Sequence, residues 1–262
     1  MPGPVLVFDS GVGGLSVFDA IRIRLPALPI SFACDNAGFP YGPREESDLI
    51  QRVETVITRL IEHSQPSMIV IACNTASTLA LEHLRARFAL PFVGVVPAIK
   101  PAAQISQNKV IGLLATPGTI KRAYTQKLID DFASDCQIIR HGSTALVRMA
   151  EQRLRLQPID LTLLKLELAV FEQAQPHPDT IVLACTHFPL LLEQLNTALS
   201  YPVRWVDSGE AIARRVEQLL PTLKPSDNKA FCVWMTADDD NARQLWPSLQ
   251  ARGLTTLEFV HV

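Results

Sequence analysis

Two cysteines carry the first chemical signal in this sequence. Ile69-Val70-Ile71-Ala72-Cys73-Asn74-Thr75 and Ile181-Val182-Leu183-Ala184-Cys185-Thr186-His187 are nearly the same heptad. Each reads as a buried strand that ends in Cys, followed by polar residues suited to capping a helix. A thiol between strand and helix lies in the positive field of the helix N-terminus, which lowers its pKa from about 8.5. Two such thiols on opposed strand ends could flank a small ligand. That arrangement suits a reaction that removes a proton from one face of a carbon and returns one to the other, because two fixed groups exchange the roles of base and acid. The plainer alternative is a pair of small buried hydrophobes. Cys34, Cys136 and Cys232 have no echo and read as packing residues. The chain has no C-x-x-C, so zinc-ribbon and thioredoxin-type sites lack their spacing.

Three further segments could serve chemistry. Asp9-Ser10-Gly11-Val12-Gly13-Gly14 follows an apolar run, and its glycines let backbone N–H groups approach an anion, with Ser10 adding a hydroxyl. The same turn admits a dinucleotide reading, with Asp35 near the position of a ribose-binding acid. The third glycine of that fingerprint is replaced by Ser16, and Asp9 sits awkwardly against a pyrophosphate. Asp35-Asn36-Ala37-Gly38-Phe39-Pro40-Tyr41-Gly42-Pro43 reads as a rigid loop whose two aromatics suit a wall over a site. Thr116-Pro117-Gly118-Thr119 adds hydroxyls that could serve an anion or merely cap a helix. A weaker echo relates Phe8-Asp9-Ser10-Gly11 to Val206-Asp207-Ser208-Gly209.

The elements that must position these residues follow from the apolar pattern. Val5–Phe8, Ile30–Ala33, Met68–Ala72, Phe92–Val96, Val110–Leu114, Thr180–Ala184 and Val203–Val206 read as strands, several apolar on both faces. Helical patterns lie between them at Leu15–Leu25, Glu45–His63, Ala76–Phe88 and Leu190–Leu199. Alternation of this kind indicates an α/β fold with parallel sheets, whose ligands bind beyond the carboxyl ends of the strands. The heptad echo suggests two similar halves facing one another. At 262 residues the chain is long enough for one or two domains. With 48% hydrophobic and 19% charged residues it can bury a core and does not resemble disorder. A net charge of −2 removes the basic footprint of a nucleic-acid binder. No apolar run approaches the roughly 20 residues of a membrane span, and even Leu161–Phe171 is broken by Lys165 and Glu167. Five cysteines are too few for a disulfide scaffold and suggest a reducing, cytoplasmic setting without a targeting signal.

Taken together, Asp9-Ser10-Gly11-Val12-Gly13-Gly14, Pro40-Tyr41-Gly42, Ala72-Cys73-Asn74-Thr75-Ala76 and Cys185-Thr186-His187-Phe188-Pro189 resemble the cofactor-independent glutamate racemases. The likeness runs from about Val5 to Thr256 and includes Gly94–Ile99 and Val206–Gly209. It implies two pseudo-symmetric α/β domains with mainly parallel sheets and an active site in the cleft between them. It also implies interconversion of L- and D-glutamate without pyridoxal phosphate or metal, supplying D-glutamate for peptidoglycan. Carried onto this chain, Cys73 is the base toward D-glutamate and Cys185 toward L-glutamate. Asp9 and His187 are auxiliary groups beside them, and Glu151 supports the second cysteine. Ser10, Tyr41, Gly42, Asn74, Thr75 and Thr186 match substrate contacts, with Thr116 and Thr119 as additions. The expected domain cut places residues 1–97 with 208–262 in one lobe and 98–207 in the other, with crossovers near Val96-Pro97 and Asp207 as the hinge.

Two departures stand out. Ser16 replaces a more usual threonine, and the chain begins almost at the first strand, without the N-terminal extension of some proteobacterial members. Those longer members are activated by a peptidoglycan precursor, so an effector of that kind and a homodimer are left open as partners, and neither nucleic acid nor membrane is expected. The alternatives are an aspartate or hydantoin racemase, a decarboxylase on the same scaffold, a nucleotide-dependent oxidoreductase using Gly11–Gly14, or a non-catalytic carboxylate-binding protein. The decarboxylases keep only one of the two cysteines.

Overall fold

A computed structural model describes residues 3–223 and 225–262. Among the described residues ten strands form two sheets: β1 (Val5–Asp9), β2 (Ile30–Cys34), β3 (Met68–Ile71), β4 (Phe92–Gly94), β5 (Val110–Ala115), β6 (Gln137–Gly142), β7 (Thr180–Leu183), β8 (Arg204–Val206), β9 (Cys232–Met235) and β10 (Thr256–Phe259). The six-stranded sheet has the order β10-β9-β2-β1-β3-β4, and the four-stranded sheet β6-β5-β7-β8. Every pairing is parallel.

The double-sided apolar strands have a direct cause. In β1, Val5 and Val7 enter one core while Leu6 and Phe8 enter another on the opposite face. The same alternation divides β7, where Ile181 and Leu183 join the first core and Val182 a third. A side-chain period of two forces this division, and helices cover both faces because parallel strands need long crossovers. The first core is continuous between the halves: it holds Val12 and Leu15 of one together with Phe188 and Leu190 of the other.

The first half carries helices Leu15–Arg24, Glu46–Ser64 and Asn74–Arg87, close to the expected ranges. Three strands escape the sequence pattern. β6 is half exposed and β10 alternates between exposed and partly buried positions, as edge strands do, so neither shows an apolar run. β9 is fully buried but only four residues long. Its partner β2 lies some 200 positions earlier, so local pattern does not announce the pairing. The expected helix at Leu190–Leu199 begins as a 3-10 turn, Phe188–Leu191, and becomes α-helical only over Leu192–Ala198. Among the described residues no helix is long and apolar enough to cross a membrane.

Candidate active site

The carboxyl ends of β1, β3, β5, β6 and β7 converge on one cavity of about 420 Å³. Asp9 and Ser10 enter it from β1, Cys73, Asn74 and Thr75 follow β3, and Cys185, Thr186 and His187 follow β7. Thr116 and Thr119 close it after β5, and Tyr41 and Gly42 form a wall from the loop after β2. All of these were singled out in the sequence. Glu151 alone among the candidates does not line the cavity; it stands behind His187.

The two thiols have unlike surroundings. Cys73 is buried at the N-cap of helix Asn74–Arg87, with Ser10 Oγ at 3.7 Å from its sulfur. Asp9, wholly buried, faces the same thiol. Its Oδ1 accepts from Ser10 N (2.6 Å) and Ser10 Oγ (3.2 Å), and its Oδ2 from Gly14 N (2.5 Å) and Thr186 Oγ1 (3.2 Å). Burial nevertheless raises the Asp9 pKa, the nearby His187 and the hydrogen bonds opposing it only in part. Burial and the Asp9 charge push the Cys73 thiol well above its usual value. The expected lowering at a helix N-terminus is therefore overturned for Cys73: an amide of the first turn does favour its thiolate, but desolvation and the neighbouring carboxylate outweigh it.

Cys185 precedes a 3-10 turn, so the full helix dipole assumed for it is absent. A charged side chain stands there instead. His187 Nδ1 lies 3.8 Å from Cys185 Sγ, and His187 Nε2 lies 3.0 Å from Glu151 Oε1. Burial alone would favour the neutral ring, but the bonds to Cys185 and Glu151 prevail and hold the imidazole pKa well above its usual value. Glu151 in turn accepts from Val12 N at 2.9 Å and pairs with Arg155 at 2.8 Å. Desolvation would raise its pKa, yet His187, Val12 and Arg155 together lower it.

The glycine turn serves this junction. A Cβ on Gly11 would stand 2.5 Å from Glu151 Oε1, and one on Gly13 would overlap the His187 ring. The turn is thus packed by side chains, Glu151 and His187 from beside the four-stranded sheet and Phe39, Ala72 and Phe32 from its own side. Asp35, the acid needed for a dinucleotide reading, is likewise taken: Arg52 pairs with both its oxygens. Close approach, the reason glycines occur here, is to protein rather than to pyrophosphate.

Two features of the lining bear on ligand chemistry. Asn74 Oδ1 is buried without a hydrogen-bond partner, an acceptor that a ligand cation would satisfy. Thr116 Oγ1 lies 3.0 Å from Thr119 Oγ1 and caps the short helix Pro117–Lys121, as one of the two readings of that segment has it, and both residues also line the cavity. The sequence reading missed Thr144, Val147 and Arg148, which line the cavity from the start of helix Ala145–Leu154. They follow β6, the edge strand that shows no apolar run. The available signal was their spacing to Glu151, since positions 144, 147, 148 and 151 share one helical face. Among the described residues no cluster of three or more His, Cys, Asp or Glu is placed to hold a metal ion.

A family profile described as Asp/Glu/Hydantoin racemase matches residues 13–216. This chain belongs to that racemase family. The glutamate racemases of Klebsiella pneumoniae and Escherichia coli O157:H7 are 51% and 50% identical to it, each over 97% of this chain and 90% of theirs. Among solved structures, the Escherichia coli glutamate racemase in complex with L-glutamate and the activator UDP-MurNAc-Ala superposes with a TM-score of 0.95 at 47% identity. That match covers 100% of this chain and 99% of the other. A glutamate racemase of Bacillus anthracis follows at TM-score 0.81 and 26% identity, covering 99% and 98%. The family's fold, paired α/β halves with parallel sheets, is the fold described above.

Proposed function

We propose that this racemase interconverts L- and D-glutamate by passing protons between the substrate Cα and two thiols, Cys73 and Cys185. The observation that carries the reading is that both sulfurs line one cavity from the strand ends of two different sheets. Cys185 takes the Cα proton of L-glutamate as base, with the His187 imidazolium beside it to balance the thiolate charge. Cys73, whose burial and acidic neighbour keep it protonated, delivers a proton to the opposite face and yields D-glutamate. The reverse reaction exchanges the roles, and Asp9 assists Cys73 as acceptor.

Between the two transfers the Cα carries a carbanion whose charge spreads into the α-carboxylate. Hydroxyls of Ser10, Thr75 and Thr186 and the backbone around Gly42 are suited to hold it. Asn74 Oδ1 accepts from the substrate ammonium, and Thr116 and Thr119 receive a carboxylate. The product would supply D-glutamate for peptidoglycan in the cytoplasm, where precursor synthesis and reduced thiols coincide. The activator named with the Escherichia coli relative supports testing a peptidoglycan precursor as an effector here.

The test is incubation with L- and D-glutamate separately in deuterated water without added cofactor. Deuterium at Cα with loss of optical rotation is expected from either enantiomer. Exchange of L-aspartate in place of glutamate would overturn the substrate assignment.

A further inference from the structure

Tyr41 lines the cavity, and its hydroxyl donates to Asp35 Oδ2 at 2.7 Å. That carboxylate is wholly buried and receives four more hydrogen bonds. Arg52 Nε and Nη2 donate at 2.8 and 2.7 Å, Thr236 Oγ1 at 2.6 Å and Gly38 N at 3.1 Å. Its donors come from three places: the helix Glu46–Ser64, the segment after β9, and the loop itself. Asn36 adds a second fastening, accepting from Thr236 N (2.9 Å) and Ala237 N (3.0 Å) and donating to Ala237 O (2.8 Å). Burial works against the charge on Asp35, but Arg52, Thr236 and Tyr41 hold its carboxyl below the usual range. A Cβ at Gly38 would overlap the carboxylate, so the loop must close on Asp35 without a side chain there.

From this geometry we infer that Asp35 and Arg52 are positioning residues for the reaction, and that the Tyr41 hydroxyl is a fastener of the loop rather than a substrate ligand. The inference rests on the glutamate reading for its kinetic consequence. The loop wraps around one carboxylate, and its Tyr41 and Gly42 line the cavity. Facing it, Gly118 leaves so little room that an added Cβ would lie 3.0 Å from Gly42 O. A loop pinned on one side and abutting the threonine turn on the other has its backbone groups aimed before substrate arrives. Pre-aimed donors lose little on binding, and loosening them raises KM more than it lowers kcat when they contact ground and transition states alike.

Tyr41→Phe, Arg52→Gln and their double variant test this, with Arg52→Lys as the conservative replacement. Each single variant is expected to raise KM for glutamate about fivefold with kcat within twofold, as befits loss of one charged or buried hydrogen bond. The double variant is expected to be no worse than the poorer single variant, because both act through the same carboxylate. Arg52→Lys should recover part of the loss. Hydrogen exchange by mass spectrometry should show faster exchange confined to residues 36–43 in all the weakened variants.

KM effects that multiply in the double variant would overturn the inference, since the hydroxyl would then act on substrate independently. Unchanged exchange over residues 36–43 would overturn it too. Failure of the wild-type enzyme to racemise glutamate would instead sink the functional reading, while the exchange data still decide the role of Asp35.

Discussion

The two thiols occupy matching places after matching strands, yet one lies directly against a buried carboxyl and the other directly against a cationic ring. Around Cys73 stand Ser10 and the Asp9 carboxyl, whose hydrogen-bond donors among the described residues are hydroxyls and amides. Around Cys185 stands a relay of alternating charge, from His187 through Glu151 to Arg155. The repeated heptad therefore supplies symmetric placement of two sulfurs, and its last position, His187 against Thr75, together with Asp9 and Glu151 outside it, gives them unlike electrostatic surroundings. A proton shuttle between two faces needs one group ready to accept while the other is ready to donate. Unequal surroundings set that difference before substrate binds.

Removing either sulfur should have the largest effect. Cys73→Ala and Cys185→Ala are each expected to lower racemisation by about a thousandfold or more, measured by polarimetry, within the range for a positioned acid or base. Full activity in both variants would end the two-thiol reading. Next is Gly13→Ala, whose added methyl must displace the His187 ring. A fall in kcat of about a hundredfold is expected, with the Thr186 hydroxyl that donates to Asp9 also crowded.

Replacing the auxiliary groups sharpens the comparison further. Enantiomers have equal free energy in water, so His187→Asn and Asp9→Asn must each lower kcat/KM equally in both directions. A loss of about ten- to a hundredfold is expected. The asymmetry emerges in the primary deuterium isotope effect: larger from labelled L-glutamate for His187→Asn, and larger from labelled D-glutamate for Asp9→Asn. Identical isotope effects would mean the half-sites are not specialised.

Arg148 gives a smaller effect. It is exposed where it lines the cavity, and its side chain makes neither an ion pair nor a hydrogen bond among the described residues. Arg148→Gln should raise KM for the anionic substrate about threefold and flatten its dependence on salt, consistent with an exposed charge contact.

Smallest is the pH dependence of stability, which should have opposite signs on the two sides. The Glu151 pKa is lowered on folding, so its contribution is present above the unfolded carboxylate range and lost as pH falls through its folded value. The Asp9 pKa is raised, so acid relieves a cost there. Urea unfolding across this acid range should show a shallower loss for Glu151→Gln and a steeper one for Asp9→Asn. The raised His187 pKa adds stability that is full below its unfolded value and fades as pH climbs through the folded one.

Much of the site was legible because strand ends are marked by composition. Apolar runs ending in Cys73 and Cys185, and the glycines after β1, lie in plain sequence order. The threonines and the aromatic loop could be placed near a site by the same rule. What the sequence hid was pairwise. The electrostatic setting of Cys73 depends on burial beside Asp9, and that of Cys185 on Glu151, which is distant in sequence. Helix-start logic alone assigned both thiols the same tendency. Arg148 and Thr144 were missed because the strand before them lies at a sheet edge, where solvent on one side removes the apolar signature.

The order of strands in the six-stranded sheet has a consequence for how the chain is made. β9 pairs with β2, and residues 30–34 must wait for residues 232–235. At ribosomal rates of about 5–20 residues per second, that wait lasts roughly 10–40 seconds. Throughout it, the edge of β2 offers unpaired amides and carbonyls beside a row of buried-type side chains. The four-stranded sheet, drawn entirely from residues 110–206, is complete before the gap closes. Biogenesis thus leaves one sheet open while the other finishes, and the nascent chain is most exposed to misassembly along β2.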